Sequence, residues 1–242
     1  MVFRTRRWRP QVERERSAAT VMLGMPGFVV LAVSENEGEL EQAIETTADL
    51  VGCPSCGAVA ELHDRRPSWV RDLPMGGRPV TVVWVKRVWR CRHALCPTRT
   101  WTETSPVIAA RASLTERARA EICRRVGEDG NSVAAVAREF GIGWRTAMAA
   151  VVQHGRPRVD DPVRLAGVDT LGMDETAFQA ANVSRVMSFV TGILDLTSGP
   201  GPARLLDVVA GRSASALVSW ISERDSGWRA GIVTAALDPY RG

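Results

Sequence analysis

Residues 53–57 read Cys-Pro-Ser-Cys-Gly, and residues 91–97 read Cys-Arg-His-Ala-Leu-Cys-Pro. Two residues lie between the first pair of cysteines and four between the second, so each pair can grip one face of a tetrahedral ion. Gly57 stands where a tight turn aims backbone N–H groups at a thiolate. The pattern predicts a structural Zn²⁺ held by Cys53, Cys56, Cys91 and Cys96, with no coordination position left for a substrate. Between the knuckles, Pro79 leads into Val80–Arg90, which reads as the ribbon strand. This segment is too small for an apolar core of its own, and metal binding supplies the missing folding energy. The competing reading is four free cysteines buried in an ordinary core. His63 and His93 are conceivable substitute ligands but read as bystanders. Cys123, alone on an expected helix, reads as a small core residue.

Downstream of the cysteines, Leu114–Gly127 and Ser132–Gln153 read as helical. Within the second stretch, Ser132–Val152 has the logic of two short helices at a steep angle. Ser132 suits an N-cap, and Val136 and Phe140 form one apolar stripe. Ala137 is small where the second helix crosses, Gly141 stands where the turn needs a positive φ, and Ile142 plugs the corner. The second helix, Trp144–Val152, is expected to bury Ala147, Met148 and Val151. Its first turn would face DNA, which makes Trp144, Arg145 and Thr146 the contact candidates. Arg145 stands out because a guanidinium can fork onto guanine or phosphate. Arg117, Arg119, Arg124 and Arg125 on the preceding helix are candidates for the phosphate backbone. A plain helical hairpin that reads nothing is the competing account.

The last third alternates strand-like and helix-like runs. Leu171–Phe178 holds the acidic pair Asp174–Glu175. Arg185–Leu196 and Leu205–Ala210 read as strands, Ser213–Arg224 as an amphipathic helix, and Gly231–Tyr240 as a strand reaching Asp238. Strand, strand, strand, helix, strand is the order of a ribonuclease-H-like sheet, in which the first and fourth strands lie side by side. Asp174 and Asp238 could then share divalent ions, Mg²⁺ or Mn²⁺, that activate a nucleophile and stabilise the leaving oxygen of a phosphodiester. A charge on a buried strand is costly unless a metal or partner compensates it.

Composition frames these motifs. The 242 residues carry 31 Lys or Arg against 27 Asp or Glu, a net charge of +4. From Arg65 to Arg125 there are fourteen basic and four acidic residues, so the surplus sits in the middle of the chain. A basic middle between acidic flanks points to a polyanion partner for that part. A solvated surface in an arginine-rich chain is the bland account, since every basic residue but Lys86 is Arg. No long apolar run and no signal peptide is visible, which implies no membrane and a reducing cytoplasm. The expected organisation is a disordered basic tail at 1–21, with Met22 as an alternative start. A zinc-ribbon domain follows at 22–105, with a strand at Phe28–Val33 and a strand or short helix at Glu39–Thr47. A helix-turn-helix domain spans 106–156, with a proline-bearing linker around 155–165. Part of a catalytic domain occupies 157–242. The fold class is α+β and multidomain.

Taken together, Cys53–Gly57, Arg90–Trp101, Ser132–Val152, "GMDETAF" at 172–178 and "ALDPY" at 236–240 resemble the ISL3 family of bacterial insertion-sequence transposases. The resemblance spans roughly residues 22–242. It implies an N-terminal zinc region, a helix-turn-helix that binds terminal inverted repeats of double-stranded DNA, and a DDE catalytic domain with Asp174 and Asp238 as its first two acids. It also implies Mg²⁺-dependent cleavage and strand transfer, a bacterial cytoplasmic setting, and room for a homo-oligomer. The family's third acid, a Glu on a later helix, has no counterpart after Asp238, which suggests a truncated chain that binds DNA without cleaving it unaided. The alternative is a zinc-ribbon and helix-turn-helix regulator without catalysis, or a relic of a decayed element.

Overall fold

The computed structural model describes residues 17–48, 50–179 and 186–237. The chain divides between Arg158 and Val159 into two compact units, each with its own core. The α+β, multidomain reading holds.

The first unit begins with α1 (Ala18–Leu23). The Ser17 hydroxyl accepts from the Thr20 N–H at 3.2 Å, and Gly24 closes the helix at φ 57°. Both are ordinary helix-end devices. Leu23 and Met25 are buried in the core, and the Thr20 hydroxyl accepts from the Val30 N–H at 2.9 Å. Ordered structure therefore starts ahead of Met22, and the boundary expected at 21/22 moves upstream. Residues 1–16 of the expected tail lie outside the described residues.

Two hairpins build the sheet. β1 (Phe28–Asn36) and β2 (Glu39–Thr46) pair antiparallel through a two-residue turn, Glu37 and Gly38, both at positive φ. That turn matches the twist of the strands it joins. Leu40, Gln42 and Ile44 are buried in strict alternation, which settles the strand-or-helix ambiguity at Glu39–Thr47. β3 (Glu61–Met75) and β4 (Arg78–Arg90) turn on Gly76 and Gly77 in the same way. The order is β1-β2-β4-β3, with β2 parallel to β4 and the short β5 (Thr100–Thr102) beside the end of β4. β3 has no strand-like sequence signature: it is rich in charge and carries Pro67 opposite Val85. Its place at the sheet edge resolves this, because an edge strand tolerates charge and a missing N–H. The core gathers Phe28, Ile44, Val70, Val82, Trp84 and Ile108. Phe28 meets Trp84 edge-on at 5.5 Å, a favourable aromatic geometry.

Three helices follow: α2 (Glu116–Gly127), α3 (Val133–Glu139) and α4 (Trp144–Val159). Leu114, Ile122, Val136, Phe140, Ala147 and Ala150 form their core, and Leu73 of β3 packs against it. α4 buries Ala147 and Ala150, with Met148 half-buried, so Ala150 takes the place expected for Met148. α4 also runs through Pro157 to Val159, correcting the expected linker start at 155. The proline only forfeits its own hydrogen bond near the helix end, where few further bonds depend on it.

The second unit carries β6 (Thr170–Gln179), β7 (Ser188–Asp195), β8 (Arg204–Ala210), α5 (Ala214–Ser222), α6 (Ser226–Ala230) and β9 (Thr234–Leu237). Its sheet order is β8-β7-β6-β9, with β6 parallel to β9. The first and fourth strands thus lie side by side. Leu171, Ile193, Leu206 and Trp220 are buried between sheet and helices. Trp220 donates to Asp207 at 2.7 Å and stands edge-on to Trp228 at 5.7 Å.

Candidate metal centre and nucleic-acid interface

The two cysteine pairs flank the β3–β4 hairpin, one ahead of β3 and one after β4. Antiparallel pairing sets Glu61 opposite Arg90 and so brings the knuckles together. Each knuckle closes on its own backbone. The Cys53 N–H donates to Ala58 O at 2.8 Å, and Gly57, at φ 70°, donates to Cys53 O at 2.9 Å. The Cys91 N–H donates to Arg99 O at 3.0 Å and the Cys96 N–H to His93 O at 3.0 Å. The hydroxyls of Ser55 and Thr98 tie one knuckle to the other at 2.5 Å.

The four sulfurs lie within 4.8 Å of one another, with Cys53–Cys96 and Cys56–Cys91 each at 3.6 Å. A tetrahedral Zn²⁺ with bonds of about 2.3 Å sets sulfurs about 3.8 Å apart. No cysteine is in a disulfide. Cys53, Cys91 and Cys96 are buried and Cys56 is exposed. Three of the thiols are shifted, one downward and two upward. Burial raises Cys53, yet the backbone N–H groups of Ser55 and Cys56 and the neighbouring thiols bring it down to about 7. Burial and the thiols of Cys56, Cys53 and Cys91 push Cys96 up to about 12 against the Thr98 backbone. At Cys91 the backbone at His93 works downward, but burial and the adjoining thiols leave it raised. Four sulfurs gathered this closely suit a shared cation, which is the chemistry of a structural Zn²⁺ site. His93 is not part of the cluster, and His63 lies against the Arg90 guanidinium.

In the helix-turn-helix, the Ser132 hydroxyl accepts from the Ala135 N–H at 3.2 Å. Gly141 takes φ 63°, and a Cβ there would stand 3.0 Å from the Pro79 Cβ and 3.3 Å from the Arg71 guanidinium. The turn is thereby pressed onto the β3–β4 hairpin. Trp144 is 54% exposed, Arg145 is exposed and Thr146 is half-buried. No ion pair among the described residues engages Arg145. Together with Met148 and Val152, Trp144 and Arg145 line a shallow groove along α4.

The arginines of α2 fall differently. Arg117 is committed inside the protein. It pairs with Asp72 and donates to Leu23 O at 2.6 Å. Asp72 is 1% exposed, and a buried carboxylate requires such a partner. Arg124 is held by Glu121 and Asp129, and Arg125 by Glu121 and Glu139. Arg124 first, then Arg125, keep the Glu121 carboxyl below its ordinary range. These three arginines, candidates for the phosphate backbone, are each paired with the protein's own carboxylates. Asp72 has no motif that announces it. The one signal is an acid two positions after Val70 and next to Leu73 in an amphipathic run.

In the second unit, Asp174 and Glu175 are exposed on β6. This corrects the premise of a charge on a buried strand: β6 buries Leu171 and Gly172 but leaves residues 174–178 to solvent. A cavity of about 400 Å³ is lined by Met173, Asp174, Glu175, Phe189, Arg212 and Leu237, among others. The Arg212 guanidinium lies 4.4 Å above the Phe189 ring. β6 and β9 pair in register from Thr170–Thr234 to Met173–Leu237. Asp238 lies outside the described residues. On β7, Asp195 is buried and held by Arg204 and the Thr197 N–H.

Comparison with known families bears on the first unit. Residues 49–96 match the zinc-finger of transposase IS204/IS1001/IS1096/IS1165, and residues 103–155 match the helix-turn-helix domain of transposase family ISL3. No curated protein and no solved structure matches the chain. Residues 49–155 are thus similar to the zinc ribbon and helix-turn-helix of ISL3 transposases.

Proposed function

We propose that this chain is a transposase protein of a bacterial insertion sequence that binds the element's terminal inverted repeats through its helix-turn-helix. The observation that carries this reading is the first turn of α4. It presents exposed Trp144 and Arg145 beside Thr146, within a segment that matches an ISL3 helix-turn-helix. In this motif the start of the second helix enters the major groove. Zn²⁺ on Cys53, Cys56, Cys91 and Cys96 has a structural role, and no described helix is long and apolar enough to cross a membrane. The working domains are the ribbon up to 105, the helix-turn-helix at 106–156 and the sheet domain from 157.

The same proposal makes the second unit part of a DDE, ribonuclease-H-like domain. Two features support it: the sheet order, and a β6–β9 register offset of sixty-four positions, the spacing between Asp174 and Asp238. Carboxylates from adjacent strands suit Mg²⁺ or Mn²⁺, and such an ion supplies charge neutralisation at a phosphodiester.

Selection from a random duplex library with the full chain should enrich one sequence. Arg145→Ala should weaken binding to it about 10- to 100-fold, as loss of a bidentate base contact does, with one zinc per chain retained. No enrichment, or unchanged affinity in the variant, refutes the DNA-reading role. Mn²⁺ binding that Asp174→Asn removes supports the catalytic half. Absence of Mn²⁺ binding leaves the regulator without catalysis as the function.

A further inference from the structure

The β3–β4 hairpin runs on past the strand that covers its base. β2 covers β4 only over Val80–Trp84. Beyond that, Glu61–Pro67 of β3 and Val85–Arg90 of β4 continue as an arm, joined by β5 and ended by the cysteine knuckles. On β3 the arm is bare, since residues 62–67 are all exposed. Its outer part, residues 52–66 and 86–99, carries seven Arg or Lys against two Asp or Glu. Glu45 holds Arg65, and Glu103 holds Arg87 in the interior. Arg66 midway along the arm, and Arg90, Arg92 and Arg99 around the knuckles, remain exposed. Arg66 and Arg92 have only the exposed partners Asp64 and Glu61, and Arg90 has His63. The Arg66–Asp64 contact is a weak surface pair, and Arg92 holds Glu61 with two nitrogens, a fork that a phosphate can also fill.

The base of the arm is fastened to the helix-turn-helix. Thr115 and Arg117 bond Asp72, the Arg71 N–H donates to Ser113 O at 2.9 Å, and the Thr115 N–H donates to Arg71 O at 2.9 Å. Gly141 abuts Pro79. Asp72 is in register with Val80, and Arg90 lies ten residues farther along β4. At about 3.3 Å per residue that is about 33 Å, close to one turn of B-DNA at about 34 Å.

We infer that the zinc-knuckle end of the β3–β4 arm is a second contact for duplex DNA, gripping phosphates through Arg90, Arg92 and Arg99, with Arg66 nearer the base, about one helical turn from where the arm is fastened to the helix-turn-helix. The inference rests on the helix-turn-helix binding DNA. The zinc, besides folding the ribbon, then sets the reach of the grip: it holds the arm's end closed where the arginines cluster. Contacts of this kind add affinity without sequence preference.

The test is a salt titration of the full chain on a labelled 45-base-pair duplex of mixed sequence, between 50 and 250 mM KCl. The variant Arg90→Gln/Arg92→Gln/Arg99→Gln should lower the slope of log K against log salt by about 2.7, at about 0.9 per phosphate lost. Its zinc content should stay at one per chain. An unchanged slope in a zinc-loaded variant overturns the inference. Hydroxyl-radical footprinting of the unaltered protein on its selected site is independent of any variant. Two protected patches about one turn apart support the arm contact, and a single patch overturns it. Failure of the unaltered chain to bind any duplex refutes instead the DNA-reading role on which the inference stands.

Discussion

The Thr115 hydroxyl donates to the Asp72 carboxylate at 2.6 Å while accepting from the Ala118 N–H at 3.2 Å. One side chain thus caps α2 and ties it to the edge strand of the ribbon sheet. Arg117, in the first turn of the same helix, closes on the same carboxylate. The ribbon and the helix-turn-helix are consequently one mechanical piece, joined at a buried ion pair.

That joint makes Asp72 a sensitive polar residue in the first unit. Asp72→Ala leaves Arg117 facing only the Leu23 carbonyl and the Thr115 hydroxyl without an acceptor. Breaking one side of a buried pair typically costs about 3–5 kcal/mol, and urea unfolding should show a loss of that order. Asp72→Asn keeps an acceptor for Thr115 and should lose less. Equal, small losses in both variants would show the joint to be incidental.

Gly141 is the second sensitive point. Its φ of 63° and the 3.0 Å approach of the Pro79 Cβ mean that any side chain is strained and crowded at once. Gly141→Ala should lower stability by at least about 1–2 kcal/mol, the cost of a left-handed residue with a Cβ. Thermal unfolding with a midpoint equal to the parent protein would contradict the packing of turn against hairpin.

Asp195 sets a pH dependence for the second unit. Burial pushes its carboxyl up, but the bonds from Thr197 and Arg204 prevail and hold it below its ordinary value. A carboxyl lowered in the folded state stabilises the fold above its unfolded value of about 3.9, and that contribution vanishes as pH falls through the lower, folded value. Amide exchange at Ile193 and Leu206, corrected for intrinsic rates, should speed up as pH drops below about 4. Asp195→Asn should exchange faster at neutral pH and lose that acid response. An identical acid response in the variant would assign the effect to another group.

Much of the site was legible from local pattern alone. The cysteine spacing, the glycines at 57 and 141 and the Ser132 cap are short-range signals, and each stands as read because its physics is contained within a few residues. The commitments of Arg117, Arg124 and Arg125 were hidden for the opposite reason. Composition shows a basic helix, but the acids that neutralise it are Asp72, Glu121, Asp129 and Glu139. One of these arrives from a strand forty-five positions earlier. β3 was missed because charge and Pro67 argue against a strand except at an edge, and edge position is a property of the whole sheet.

By itself, then, the chain of residues determined the four-thiol centre, the helix-turn-helix and the α+β order of elements, since these follow from spacing, capping and periodicity. Tertiary structure alone decided which arginines are spent on buried or bracing carboxylates and which stand at the surface. It also decided that α4's turn rests on the ribbon hairpin, and that Asp174 emerges into solvent. Those outcomes depend on through-space partners, whose electrostatic and packing energies act between positions that sequence distance does not relate.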